Sequence, residues 1–459
     1  MRYTAGEIAA ITGGILYGEA SAPVSGVSTD SRAVHEGDCF WAIKGENFDG
    51  NDFAESVITG GGRCAVASRV PAKIPAGASV VQVSDSIAAL GLLAGDYRGR
   101  LKAKVIGITG SVGKTSTRNM LGDILSQKYR THRAKKSFNN HIGLPLTILE
   151  TPRDCEMLIV EMGTNHPGEI EYLTRIARPN IALVTAVTEA HLEGFGSIEA
   201  IAAEKASIAL GLSGSDSLLI INAAMPVLTE AASRLAVPTA AFGFGGDYDF
   251  AGSDPLAGIE SGSFVIGNTR VCVPLAGRGN LENALAAWAV CSSLGMEAAD
   301  FAGFMQNVRA ENMRMNIIET PDITIIADCY NANPASMQNA IDYLGLLKES
   351  SGRLVFVAGY MGELGSETQR LHRKLGAAAA DAGIDLLLAA GPLADVTVNA
   401  AREMSNKLNA YSFESTEQLC SRLEEYICRG DAVLVKGSRS MRLEAAVEKL
   451  EKLKLKTKI

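Results

Sequence analysis

The chain has 459 residues, 47% of them hydrophobic and 20% charged, with 47 Gly, 14 Pro and a formal charge of -8. At roughly 150 residues per domain this length predicts about three domains, and the composition excludes wholesale disorder and collagen-like or low-complexity classes. A mildly acidic chain lacks the global positive field of a nucleic-acid binder.

No run approaches the ~18 uninterrupted apolar residues of a membrane-spanning helix, and the N-terminus lacks the apolar core and small-residue cleavage site of a signal peptide. The eight cysteines are scattered, with no CxxC pair. They read as reduced thiols of a cytoplasmic protein rather than as a disulfide framework or a zinc site. The terminal lysines Lys449, Lys452, Lys454, Lys456 and Lys458 read as a solvated helix end whose charge suits the helix dipole.

In chain order, residues 1–83 hold short mixed segments broken by Gly and Pro. Asp38-Cys39-Phe40-Trp41-Ala42-Ile43 reads as a strand, followed by a polar loop from Lys44 to Gly50. A small α/β domain is expected. The pattern changes over 84–312. Val105 to Thr109 is a short buried strand, and beyond a Gly-rich turn Met120, Leu121, Ile124 and Leu125 fall at helical spacing. Further apolar runs at 157–160, 181–184 and 218–221 alternate with helical stretches, and an Ala-rich helix is expected from Gly279 to Leu294. A second alternating series occupies 313–459, with strands expected at 324–327, 354–357, 386–389 and 432–435. Strands alternating with helices mean βαβ units and largely parallel sheets. The expectation is a three-domain α/β protein: a small N-terminal α/β domain, a central parallel-sheet domain with a phosphate loop, and a C-terminal Rossmann-like domain.

Gly107-Ile108-Thr109-Gly110-Ser111-Val112-Gly113-Lys114-Thr115-Ser116 lies between an expected strand and helix. Such a turn aims backbone N–H groups at phosphate oxygens, with the helix N-terminus adding a favourable dipole. Ile108 occupies the first glycine position of the strict GxxxxGK[ST] pattern, leaving GxxGKT from Gly110 to Thr115. In this reading Thr109 to Ser116 bind ATP or GTP, Lys114 reaches the β- and γ-phosphates and Thr115 binds Mg²⁺. The bland alternative is a Gly-rich turn with an exposed lysine.

Glu161 ends an apolar run, and a carboxylate at the C-terminal end of a parallel strand points into the ligand crevice. It either holds Mg²⁺ or sits in a surface ion pair. His191 follows the run 181–184, as a metal-site residue or a structural one. Lys205 shares a face with Ile198, Ile201, Ile208 and Leu212, where an unpartnered ammonium is costly. It snorkels or pairs with an acid; alternatively, burial lowers its pKa and the neutral amine takes up CO₂ as a carbamate, an anionic ligand for a second Mg²⁺.

Together, Thr109 to Thr115, Glu161-Met162-Gly163, His191 and Glu204-Lys205 resemble the Mur ligases, ATP-dependent amide-bond-forming enzymes of peptidoglycan synthesis. Asn139-Asn140-His141-Ile142-Gly143-Leu144-Pro145, Asn165-His166-Pro167-Gly168-Glu169, Asp328-Cys329-Tyr330-Asn331-Ala332-Asn333-Pro334 and Lys436-Gly437-Ser438-Arg439 are similar to the branch that adds D-alanyl-D-alanine. The resemblance implies the three-domain fold. It also implies a cytoplasmic, monomeric ligase that joins UDP-N-acetylmuramoyl-tripeptide to D-alanyl-D-alanine through an acyl phosphate, serving cell-wall biogenesis and thereby cell shape and division. Nucleic acid and membrane are not expected partners.

It implies roles for single residues too. Lys114, Glu161, His191 and Lys205 would be catalytic, with Thr115, Glu161, His191 and carbamylated Lys205 holding two Mg²⁺. Asn283, more than Asn280, would contact adenine. Arg314 and Asp328 would reach the phosphate and ribose of ATP. Ser31, Arg32, Lys44 and Asp49, in the Asp30-Ser31-Arg32 and Lys44-to-Gly50 segments, would hold the uridine nucleotide. Asn139, Asn140, Tyr330, Asn331 and Asn333 would serve the substrates. Three positions depart from the pattern: Gly279 and Asn51 where histidines are usual, and Tyr360 in place of an aspartate.

Overall fold

The computed structural model describes residues 1–134, 137–349, 351–453 and 455. Contacts divide the chain into two compact units: Met1–Thr109 with Leu125–Leu183 and Ser207–Leu219, and Gly110–Ile124 with Val184–Ala206 and Ile220–Ile459.

The first unit carries a two-stranded ribbon of Tyr3–Thr4 with Pro23–Val24 and two larger sets of strands. Strands β1 (Ile15–Gly18), β2 (Gly26–Ser28), β3 (Asp38–Trp41), β4 (Cys64–Ala67) and β5 (Ser79–Gln82) lie in the order β1-β5-β4-β3-β2. The run β2 to β5 is parallel and β1 is antiparallel to β5. Phe40, Ala42, Ala54, Ile58, Ala65, Ala67 and Val80 form the core beneath it. The second sheet has β6 (Lys104–Thr109), β7 (Thr131–Arg133), β8 (Met157–Glu161) and β9 (Ile181–Val184), in the order β9-β6-β8-β7. Val105, Ile106, Ile108, Leu158, Ile159 and Val160 are all buried. Unbroken apolar runs of this kind belong to parallel strands covered on both faces, and β8 pairs in parallel with β6 and β7.

The second unit also has two sheets. Strands β10 (Leu218–Asn222), β11 (Thr239–Phe244), β12 (Phe250–Leu256), β13 (Gly262–Ile266) and β14 (Thr269–Val273) run β14-β13-β12-β11-β10. The Ala-rich segment is a helix over Arg278–Ser293. Strands β15 (Asn316–Glu319), β16 (Thr324–Ala327), β17 (Arg353–Gly359), β18 (Leu386–Ala390), β19 (Asn409–Phe413) and β20 (Asp431–Lys436) form the last sheet, in the order β15-β16-β20-β17-β18-β19. It is parallel except for β15. Its two faces bury separate apolar cores, one around Ile326, Phe356, Leu387 and Leu434 and the other around Ile325, Val355, Leu388 and Val433. Alternate residues of each strand thus feed opposite faces, as the pleat requires.

Every apolar run expected to form a strand forms one. One helix is shorter than its apolar spacing suggests. The segment bearing Lys205 is α-helical over Ile198–Ala206 and tightens into a 3₁₀ turn over Ser207–Gly211, so Ile208 belongs to the turn and Leu212 lies beyond it. Tightening of the last turn is a common way for a helix to satisfy its terminal carbonyls. The chain's last helix, Glu444–Glu451, presents Lys449 to Glu424 at 2.9 Å. Lys454, Lys456 and Lys458 lie outside the described residues. No helix among the described residues is long and apolar enough to cross a membrane.

Candidate active site

The chain leaves β6 at Thr109 and turns through the Gly-rich loop into the helix Lys114–Leu125. Two glycines are required there. Gly110 has φ 151° and Gly113 φ 84°, backbone that side-chain-bearing residues rarely adopt. Space forbids a side chain as well: a Cβ on Gly110 would lie 2.0 Å from Thr185 Oγ1, and one on Gly113 2.3 Å from Asn283 Oδ1.

The loop rests on a polar floor. Thr185 Oγ1 donates to the Val112 carbonyl (2.6 Å), Asn222 Nδ2 to the Thr185 carbonyl (3.0 Å), and the Ser111 N–H to the Ala186 carbonyl (2.8 Å). Thr117 Oγ1 donates to Asn283 Oδ1 at 3.3 Å. Lys114 Nζ donates to the Gly110 carbonyl at 2.5 Å, so the ammonium spans the loop. Asn333 Nδ2 reaches the Ser111 carbonyl at 3.3 Å from the start of the helix Pro334–Leu346. This floor was not foreseen: neither Thr185 nor Asn222 stands in a recognisable motif.

Lys205 is only 1% exposed and has no hydrogen-bond or ion-pair partner among the described residues. Burial first, and the charge of Lys114 second, hold its pKa well below the usual lysine value, against a smaller opposing effect of Glu204. The pairing expected of the bland reading is thus absent among the described residues, and the amine is driven toward its neutral, nucleophilic form. His191 has the left-handed φ of 60° and presents Nδ1 to the Glu363 carboxylate.

A cleft of about 190 Å³ opens beside the phosphate-loop helix. It is lined by Ser116, Asn119, Asn280, Arg309, Arg314 and Ile317, among others. Asn280 faces it, whereas Asn283 braces the loop. Arg314 stacks over the Tyr330 ring at 4.3 Å and sits between Met313 (φ 59°) and Met315 (φ 52°). Two non-glycine residues with positive φ flanking one arginine mark backbone that the surrounding structure must hold in place. Asp328 supplies part of that hold. Its Oδ1 accepts the Met315 N–H (3.2 Å) and its Oδ2 the buried Lys436 ammonium (2.6 Å), which also reaches the Asn331 carbonyl at 3.2 Å.

In the first unit, Glu161 is buried at the end of β8 and accepts Asn139 Nδ2 at 2.8 Å. Its burial removes it from the surface position of the alternative reading. Asn140 Oδ1 accepts the N–H groups of Ile142 and Gly143, capping a turn, and Thr109 Oγ1 donates to the Met162 carbonyl at 2.8 Å. In the N-terminal sheet, Asp30 grips Arg32 through two bonds of 2.9 Å, with Ser31 between them. Lys44 and Asp49 form an isolated bridge that closes their loop. Asp49 also accepts Asn51 Nδ2 (2.7 Å) and Arg69 Nη2 (3.0 Å). Arg69 was missed in the sequence because only the parallel pairing of β3 and β4 brings the segments that follow these strands to one edge.

His372 is buried against Tyr360 and its pKa is pushed down to about 4 from 6.5, chiefly by burial. The unfolded chain therefore binds a proton below pH 6.5 that the folded chain refuses. We expect the wild type to lose up to about 3 kcal/mol relative to His372→Phe as pH falls from 6.5 to 4, with no such difference above pH 7. Urea denaturation of both proteins across that range measures it. Parallel curves would refute the buried neutral imidazole.

Comparison with known proteins decides the family. The Mur ligase middle domain matches residues 108–291, the Mur ligase glutamate ligase domain 313–439 and the Mur ligase catalytic domain 23–98. The chain belongs to the Mur ligase family. It is 35% identical over 430 residues, 93% of each chain, to the UDP-N-acetylmuramoyl-tripeptide–D-alanyl-D-alanine ligase of Bacillus subtilis. The enzyme of that name from Escherichia coli is 34% identical over 98% of each chain. A MurF crystal structure from Acinetobacter baumannii superposes with a TM-score of 0.88 at 29% identity, covering 98% of this chain and 99% of the other. MurF ligase from Thermotoga maritima, solved in complex with ADP, gives 0.80 at 29% identity over 94% and 97%. In this Mur ligase the expected three-domain α/β architecture is present. The Gly-rich loop has the form of a nucleotide site: two obligatory glycines, a lysine across the loop and an adjoining cleft.

Proposed function

We propose that this Mur ligase joins the terminal carboxyl of UDP-N-acetylmuramoyl-tripeptide to the amine of D-alanyl-D-alanine at the expense of ATP. The observation that carries the reading is the built phosphate loop, in a chain that matches ligases of this activity along almost its whole length.

A carboxylate is a poor acyl donor because an amine cannot expel oxide. Transfer of the γ-phosphoryl of ATP to the carboxylate makes an acyl phosphate, and the dipeptide amine then attacks the carbonyl carbon and expels phosphate. The protein's part in phosphoryl transfer is positioning and charge neutralisation. Residues Thr109 to Ser116 are assigned to the phosphates, with Lys114 carrying the positive charge. The cleft beside the phosphate-loop helix is assigned to the nucleoside, with Arg314 at its wall and Asp328 holding the backbone next to Arg314.

Among the described residues no three His, Cys, Asp or Glu side chains gather into a metal cage. The available donors, a hydroxyl and a carboxylate beside substrate phosphates and water, are those of Mg²⁺. We assign Thr115, Glu161, His191 and carbamylated Lys205 as ligands of Mg²⁺. Bound Mg²⁺ would neutralise phosphate charge during transfer. The carbamate forms when the neutral Lys205 amine adds to CO₂ and releases a proton. Ser31, Arg32, Lys44 and Asp49 are assigned to the uridine nucleotide, and Asn139, Asn140, Tyr330, Asn331 and Asn333 to the peptide ends. We draw the domain boundaries at 83/84 and 312/313. The N-terminal sheet ends at Gln82 and the C-terminal sheet begins at Asn316. A cytoplasmic monomer fits a reaction that consumes ATP and draws every assigned residue from one chain.

The test is a phosphate-release assay coupled to mass spectrometry of the product. Release is expected only with MgATP, UDP-tripeptide and D-alanyl-D-alanine together, with a product of their joined mass less one water. Release without the dipeptide, or equal use of a single amino acid, would overturn the reading.

A further inference from the structure

The turn that follows β9 carries His191, and the turn that follows β17 carries Glu363. Neither residue is glycine, yet both have left-handed backbone, φ 60° at His191 and φ 62° at Glu363. Backbone of that kind persists only where the surrounding structure holds it. Here several contacts fasten the two turns to each other. The Glu193 N–H donates to the Glu363 carbonyl at 3.2 Å. Gly365 lies so close to the first turn that a Cβ there would be 3.1 Å from Glu193 Cα. Arg370 Nη2 reaches Glu189 Oε1 at 2.8 Å. Leu192 packs against the apolar core around Phe356 and Leu387.

The side chains of His191 and Glu363 meet across this seam. His191 presents Nδ1 to Glu363 Oε2. That nitrogen is buried and has no hydrogen-bond partner elsewhere among the described residues. A neutral imidazole carries one proton, and a carboxylate facing Nδ1 keeps the proton there and leaves the lone pair on Nε2. Metal-ligating histidines are commonly held in this way, because the bond to the far nitrogen fixes both the tautomer and the orientation of the ring.

We propose that Glu363 is a positioning residue: its carboxylate accepts the Nδ1–H of His191 and so keeps Nε2 unprotonated for Mg²⁺. The inference rests on the metal role proposed above for His191. Glu363 acts only through the imidazole.

The first measurement needs neither metal nor turnover. ¹⁵N NMR of the metal-free protein at about pH 8, above the ordinary imidazole pKa, reads which nitrogen carries the proton. His191 is assigned by the loss of its signals in His191→Gln. Wild type should show Nδ1–H. Glu363→Ala should shift toward Nε2–H, and Glu363→Gln, whose amide oxygen still accepts, should keep Nδ1–H. The second measurement is Mn²⁺ binding, followed by electron paramagnetic resonance with UDP-tripeptide and an ATP analogue that cannot transfer its γ-phosphoryl. Affinity should fall by about tenfold or more in Glu363→Ala and recover in Glu363→Gln. An Nε2–H imidazole in the wild type, or wild-type Mn²⁺ affinity in Glu363→Ala, would overturn the inference. So would an equal loss in the two variants, the mark of turns that have merely loosened. Wild-type protein that takes up no Mn²⁺ would instead overturn the metal role of His191, whichever nitrogen carries the proton.

Discussion

Lys114→Ala is expected to lower acceptor-dependent phosphate release by about 10³-fold while leaving the fold intact. The ammonium crosses the loop to the Gly110 carbonyl at 2.5 Å, within the segment proposed above to hold the phosphates. Its removal costs little stability without bound CO₂, because the charge of Lys114 disfavours the protonated form of the buried Lys205. The thermal midpoint should therefore hold or rise as activity is lost. Lys114→Arg should not restore the rate, since a planar guanidinium cannot stand in for a compact point charge. Phosphate release and a thermal melt on the same samples check both halves. A variant retaining a tenth of wild-type turnover would remove Lys114 from the chemistry.

Lys205→Met should show the opposite signs for activity and stability. Turnover is expected to fall by about 10²-fold or more with loss of the ligand assigned to Mg²⁺. Stability without Mg²⁺ or CO₂ should rise by about 1–3 kcal/mol, because methionine fills the same space without burying an unpartnered amine. The pH dependence follows from the same burial. Lys205 has a folded pKa well below its usual 10.5, so the unfolded chain holds the extra proton between the two values. The penalty is full below the folded pKa and fades as pH rises toward 10.5, and the stability gap between wild type and variant should close at alkaline pH. NMR with ¹³C-bicarbonate should show a carbamate carbon in the wild type and none in Lys205→Met. Full activity of that variant, with no carbamate signal in either protein, would leave Lys205 as a structural residue only.

Both variants concern residues that the sequence marks, for different reasons. Lys114 belongs to a contiguous pattern whose glycines, lysine and threonine have local jobs. The positive φ of Gly110 and Gly113 is what a tight phosphate turn demands, so reading the turn needed no tertiary information. Lys205 is marked by conflict, a charge at an apolar position. The spacing rightly predicted burial, but the helix proved shorter than the spacing implied, because a 3₁₀ turn carries the apolar face onward through Ile208. Its lack of a partner was not legible, since any acid elsewhere in the chain could have folded against it.

The order of strands and helices was determined by the sequence alone. Buried parallel strands are nearly continuous apolar runs, and the helices between them carry their own periodicity. The folded chain decided what supports the site. Thr185 and Asn222 under the loop, Asn283 against Gly113, Glu363 on His191 and Lys436 on Asp328 are each joined to partners remote in the chain. Asn280 rather than Asn283 faces the cleft for the same reason, because the loop claims one of the two amides. Periodicity reports which way a residue faces within its own element, whereas a hydrogen bond between elements depends on how sheets and turns close. Tyr360 shows the difference plainly: its sequence neighbours offer no sign of the His372 ring that orients it.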